Sequence, residues 1–129
     1  MIVVDASAVV DLVCDATGAP ELRARFLGDD DLHAPHLLDV EVAGALRRLA
    51  ARGVLSDDRA ADALLDAAEL PILRYPHRAL LERAWELRAH LTIPDAVYVA
   101  LAELLGAPLL TCDERLARAG GHAATIELV

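Results

Sequence analysis

Four carboxylates, Asp5, Glu41, Asp95 and Asp113, stand where their charge could do chemistry. Asp5 directly follows the apolar run Met1-Ile2-Val3-Val4 and precedes a helix that begins near Ala6-Ser7. Asp113 repeats the arrangement, after Leu109-Leu110-Thr111-Cys112 and before Glu114-Arg115-Leu116. Ligands of open α/β sheets bind beyond the carboxyl ends of the strands, so these two acids mark one edge of one sheet. Each would also serve as a cap for the helix behind it, a role worth about 1 kcal/mol. Asp95 ends the capping-box pattern Thr92-Ile93-Pro94-Asp95 at the start of an apolar helix. Glu41 falls at the edge of its helix's apolar stripe, two turns from Arg48, where a surface ion pair would equally account for it. Taken together the four have a further reading. Unpaired carboxylates packed at one sheet edge repel, which raises their pKa values or demands a cation. Oxygen donors, with no His or Cys spaced for a softer metal, select Mg²⁺, with Mn²⁺ as its substitute. Such a centre suits phosphodiester hydrolysis, in which the ion acidifies a bound water and screens charge developing on the phosphate.

The elements that must position these acids can be read from hydrophobic patterning. Short apolar runs at 1–4, 32–34, 70–73, 109–111 and 125–128 read as strands, the third weakened by Pro71 inside it. Most of the intervals between them are long enough for the helical crossovers that join parallel strands. Strands apolar on both faces belong to a parallel sheet covered on each side. The expected fold class is therefore α/β, an α/β/α sandwich around a mostly parallel sheet of four to five strands. One helix is expected from Leu37 to Arg52, closed by Gly53, with Leu38, Val42, Ala45, Leu46 and Leu49 facing the core. Ser56-Asp57-Asp58 starts another, a helix is expected over His77 to His90, and Pro94 to Leu105 reads as a buried helix stopped by Gly106. With 129 residues, 56% hydrophobic and rich in Ala, the chain is expected to form a single domain over 1–129. Asp29-Asp30-Asp31 reads as a solvated acidic turn.

Four segments in order carry a family resemblance. Ile2-Val3-Val4-Asp5-Ala6-Ser7, Leu38-Asp39-Val40-Glu41-Val42, Pro94-Asp95-Ala96-Val97-Tyr98-Val99-Ala100-Leu101-Ala102 and Leu110-Thr111-Cys112-Asp113-Glu114-Arg115-Leu116 resemble PIN domains, and more narrowly the VapC-type toxins of bacterial toxin–antitoxin pairs. The resemblance implies an Mg²⁺-dependent endoribonuclease that inhibits growth or translation, usually dimeric and held in check by a small VapB-type antitoxin. It implies that Asp5, Glu41, Asp95 and Asp113 form the catalytic and metal-binding quartet, Asp5 and Asp95 foremost as direct ligands. Ser7 and Thr111 match polar positions that support the site in the family, where local helix or turn bonding would serve as well. An aromatic residue often precedes the third acid in the family; here that position is Pro94.

Charge argues in the other direction. The formal net charge is −9, and all twelve basic residues are Arg. Affinity for RNA draws on neutralising phosphates with basic side chains, so the positive charge must be local. Arg47, Arg48 and Arg52, at the end of the Glu41 helix, are the expected RNA contacts, although a favourable interaction with the helix dipole explains them too. Aromatics at 3% leave little platform for stacking bases. The absence of Lys excludes Schiff-base and P-loop chemistry and the phosphoacceptor receiver site. Ser7 stands where a dehalogenase-like site would want a second Asp, and His33 with His36 lack a third metal ligand. The alternative of another class is a PIN-like module that has lost catalysis and only binds RNA or protein. No apolar run spans a bilayer, no basic segment precedes the N-terminal apolar residues, and Cys14 and Cys112 lie far apart. A cytoplasmic protein with two free thiols is expected.

Overall fold

The computed structural model describes residues 1–14, 19–28 and 31–129; Asp29 and Asp30 of the expected acidic turn lie outside them. Five strands form one sheet: β1 (Ile2–Val4), β2 (Leu32–Pro35), β3 (Ile72–Tyr75), β4 (Leu109–Thr111) and β5 (Ile126–Leu128). Their spatial order is β3-β2-β1-β4-β5, and every pairing is parallel. The sheet is thus wholly rather than mostly parallel. The third strand begins two residues later than its apolar run suggested. Pro71 has no N–H to give a ladder, so pairing starts at Ile72 against Leu32.

The seven helices assigned among the described residues are α1 (Ala6–Val13), α2 (Ala19–Leu27), α3 (Leu37–Ala51), α4 (Asp57–Glu69), α5 (Leu81–Glu86), α6 (Ile93–Leu105) and α7 (Glu114–Arg118). Strand order runs outward from β1 to β3, then jumps back across β1 to β4 and β5. Right-handed crossovers place helices of the first leg on one face and those of the second leg on the other. Accordingly α1 packs with α3 and α4, while α6 lies across β1, β2 and β4. The reversal creates a crevice between the carboxyl ends of β1 and β4, where ligands bind in such sheets.

Local chemistry explains most helix ends. Ser56 accepts from the Arg59 N–H at 3.1 Å and caps α4, as its sequence indicates. Gly53 and Gly106 have φ of +71° and +62°, the left-handed geometry that ends α3 and α6. Pro94 sits in the first turn of α6, where its missing N–H is no loss, so its departure from the family pattern leaves the helix start regular. Ala96 to Ala102 are all buried. The stretch from His77 to His90 is not one helix: a 3₁₀ turn at His77–Leu80 leads into α5, which stops at Glu86. There Arg88 N–H bonds Trp85 O at 3.2 Å and His90 N–H bonds Leu87 O at 3.0 Å, tight turns that bring the chain to the start of α6.

Candidate active site

Register places the first two candidate side chains. Val3 pairs with Leu109 and Val4 with Leu110, so the next step along both strands sets Asp5 beside Thr111 at the crevice. Asp5 is buried, and each of its oxygens is held. Its Oδ1 accepts from Ser7 Oγ at 2.7 Å and from the Ala8 N–H at 3.0 Å; its Oδ2 accepts from Thr111 Oγ1 at 2.7 Å. The same hydroxyls reach the other strand end. Cys112 N–H donates to Ser7 Oγ at 2.9 Å, and Asp113 N–H donates to Thr111 Oγ1 at 3.0 Å. Ser7 and Thr111 are therefore a polar bracket joining β1, α1 and the turn after β4. Asp5 also caps α1, and Asp113 caps α7 by accepting from Arg115 N–H at 2.8 Å. The caps and the bracket are parts of one hydrogen-bond arrangement.

Glu41 reaches the crevice from α3, where Tyr98 of α6 donates its hydroxyl to Oε2 at 3.1 Å. Burial pushes the Glu41 carboxyl above its usual range, and the negative charges of Asp95 and Asp5 add to the rise. Asp5 is likewise raised, chiefly by burial and also by the charge of Asp95, although its three donors favour the ionised form. Asp95 has its N–H on Thr92 Oγ1 at 3.5 Å. Its carboxylate does not close the capping box; it turns to Arg115, whose Nη2 lies 3.3 Å from Asp95 Oδ2 and 3.4 Å from Asp113 Oδ2.

The donor set fits a hard divalent cation. Every candidate ligand is a carboxylate oxygen, and two carboxylates are raised partly by the third's charge. A guanidinium already lies between two of the acids, as a positive group is drawn there. Among the described residues no three His, Cys, Asp or Glu side chains form a ready-made chelate.

Of the three expected RNA contacts, only Arg48 lines the site groove, a hollow of about 450 Å³ shared with Ser7, Asp11, Glu41 and Asp113. Arg47 is exposed and outside that groove; Arg52 caps the end of α3. His33 is buried with Nδ1 2.8 Å from the Tyr75 hydroxyl and Nε2 2.8 Å from Asp31 Oδ1, a structural role. Cys14 and Cys112 are both free. The Cys112 thiol is pushed up to about 12, first by burial and then by Asp11.

A family model described as PIN domain matches residues 2–122. The chain belongs to the PIN-domain family. Within it, this PIN domain is of the VapC type: it is 46% identical to Ribonuclease VapC12 of Mycobacterium tuberculosis, over 100% of this chain and 99% of the relative. It is 47% identical to Ribonuclease VapC1 of the same organism, over 98% and 96%. PAE2754 from Pyrobaculum aerophilum superimposes with a TM-score of 0.70 at 27% identity, covering 97% of this chain and 81% of that one. Mycobacterium tuberculosis VapC20, described as a sarcin-ricin loop cleaving toxin, shares the fold at a TM-score of 0.70 and 16% identity, over 91% and 93%.

Three residues of this PIN domain belong to the site geometry without having been singled out by sequence reasoning: Tyr98, Arg115 and Asp11. Tyr98 had a signal, being the one side chain with a hydroxyl in the apolar stretch Ala96–Ala102, three residues after Asp95. Asp11 follows Ser7 by one helical turn on α1, which is the spacing of a shared face.

Proposed function

We propose that the chain, as one nuclease domain over 1–129, is a Mg²⁺-dependent endoribonuclease and the toxin of a type II toxin–antitoxin pair. The observation that carries this reading is the buried Asp5 carboxylate, bracketed by Ser7 and Thr111 at the β1–β4 crevice and facing the charges of Asp95 and Glu41. Relatives nearly half identical over their full length are named ribonucleases, which supports the same reaction. Asp5 and Asp95 would hold the cation, with Glu41 and Asp113 completing the set. When bound, Mg²⁺ would supply a water of lowered pKa and screen charge on the phosphate. Ser7 and Thr111 keep Asp5 in one orientation, so little reorganisation is left for the reaction. Tyr98 fixes Glu41 at Oε2, leaving Oε1 open to take a proton.

Tyr98→Phe tests that last assignment. The hydroxyl favours the ionised form of Glu41, so its loss raises the Glu41 pKa further. The acid limb of the pH–rate profile for RNA cleavage should then move to higher pH, at a stability cost of about 1 kcal/mol. An acid limb at the same pH in both proteins would remove Glu41 from the proton-transfer role.

The partners follow the same reading. A groove of about 610 Å³ near the start of β2 and β3 is walled by Leu12, Val13, Phe26, Leu27, Leu32, Leu70 and Pro71, with the charged Arg23, Arg59 and Asp66 also lining it. It suits the apolar face of a VapB-type antitoxin helix. Two copies would pair as a symmetric homodimer. The chain would act in the cytoplasm; no helix among the described residues is long and apolar enough to cross a membrane. The deciding experiment is induced expression with and without the neighbouring open reading frame, followed by sequencing of RNA 5′ ends. New 5′ ends at a restricted set of sites, lost on co-expression and lost in purified reactions given EDTA, are expected. Unchanged 5′ ends at confirmed expression would instead favour the non-catalytic binding module.

A further inference from the structure

We infer that Arg115 is an RNA-contact residue held in reserve: it neutralises Asp95 and Asp113 in the cation-free protein, and a divalent cation releases it to a substrate phosphate. The inference rests on the cation-site reading above and adds to it a residue and a sequence of contacts.

The geometry of the guanidinium carries the argument. A single nitrogen, Nη2, serves both carboxylates, at 3.3 and 3.4 Å, rather than the short, paired bonds that Arg and carboxylate make when locked together. The contrast lies within the same molecule: Arg83 holds Glu103 through two nitrogens at 2.7 and 3.1 Å. The Arg115 side chain is also 72% exposed, whereas Asp95 is only 20% exposed. An exposed, loosely held ion pair is weak, so a divalent ion competing for the same oxygens displaces it readily. Displacement does not free the residue to wander, because its backbone N–H stays bonded to Asp113 Oδ1 at 2.8 Å. The backbone of Arg115 therefore stays in place, and the released guanidinium can still reach the site.

What it would meet there follows from charge. The substrate is a polyanion, the protein carries −9, and among the described residues the groove beside Glu41 offers only Arg48 as a cation. Arg48 comes from α3 and Arg115 from α7, so the two flank the carboxylates from different elements. A planar guanidinium matches phosphate oxygens in the bidentate way that Lys cannot. In the cation-free state the same guanidinium is spent on carboxylates. RNA and cation thus reinforce one another, since the ion that occupies the acids also makes the phosphate contact available.

The test uses the full chain and two variants, Arg115→Met and Arg115→Lys, each checked for an unchanged melting profile. Calorimetric titration with Mn²⁺ in the absence of RNA should show Arg115→Met binding the ion tighter, by about threefold, because no side chain competes. A labelled, mixed-sequence RNA is then titrated in EDTA and in Ca²⁺. In EDTA the wild type and Arg115→Met should bind it equally. In Ca²⁺ the wild type should bind tighter, with a salt dependence steeper by about one phosphate contact, and Arg115→Lys should fall between them. Equal Mn²⁺ affinities in wild type and Arg115→Met, or equal RNA affinities in Ca²⁺, would overturn the role of Arg115 while leaving the cation site standing. Failure of the wild type and Arg115→Met alike to bind Mn²⁺ would overturn both.

Discussion

Asp5→Asn should reduce RNA cleavage by on the order of a thousandfold or more while leaving the protein folded. The carboxylate is the most constrained of the four, with two hydroxyl donors and a backbone donor fixing both oxygens. Asparagine keeps the shape and can still cap α1, but it removes the charge that would hold the cation. Stability should not suffer in proportion. Burial raises the folded-state pKa of Asp5, so the ionised form is disfavoured on folding. Between the unfolded and the raised folded pKa the native state binds more protons, and stability falls as pH rises through that window. Above the window the wild type carries the full cost of a buried charge, and Asn does not. Cleavage rate and melting temperature measured on the same preparation separate the two effects. Cleavage retained at equal folding would end the nuclease mechanism drawn on this site.

A second large effect is expected from cations on stability. Millimolar Mn²⁺ or Mg²⁺, at constant ionic strength, should raise the melting temperature of the wild type by roughly 8–10 °C when present at about a hundred times its dissociation constant. Asp95→Asn should lose most of that rise, because Asp95 is both a proposed ligand and a charge that raises Asp5 and Glu41. Without metal it should melt close to the wild type, since relief of the repulsion on Asp5 and Glu41 offsets loss of the exposed pair with Arg115, and the Thr92 cap on its N–H remains. The rise should also grow with pH. At acid pH the raised carboxylates of Asp5 and Glu41 are protonated and neither repel nor bind; as pH passes their folded-state values they ionise, and a cation relieves them. Differential scanning fluorimetry across pH reads all three statements. An identical response in Asp95→Asn would make Asp95 a helix residue with no part in cation binding.

The parts of the site that depend on local sequence were legible in it, and the parts that depend on tertiary encounter were not. Asp5 and Asp113 could be placed because a strand followed at once by an acid and a helix has one geometric meaning in a parallel sheet. Ser56, Gly53 and Gly106 announce helix ends through their own backbone chemistry. The hydroxyl of Tyr98 stands out within apolar α6, but nothing local names its partner until Glu41 is brought to it from another helix. Arg115 looks like an ordinary solvated charge on a short helix, and only the fold brings Asp95 to it. The break after Glu86 was illegible for a different reason. Leu80, Ala84, Leu87 and Leu91 are buried at helical spacing, so the pattern continues although the backbone turns. The same holds for Arg47, Arg48 and Arg52: clustering in sequence did not tell which of the three lines the groove.

The central position of β1 has a consequence for the order in which the molecule is made. β1 pairs with β2 at one edge, but its other edge waits for β4, far along the chain. The hydroxyl of Thr111 that completes the Asp5 bracket is 106 residues further along. Closing so distant a contact is slow, as it is for any sheet whose middle is assembled from opposite ends of the chain. A nascent chain halted before β4 therefore carries Asp5, Glu41 and Asp95 but no crevice in which to hold them. Any fragment that stops short of β4 therefore lacks the Thr111 half of the bracket, whatever acids it carries.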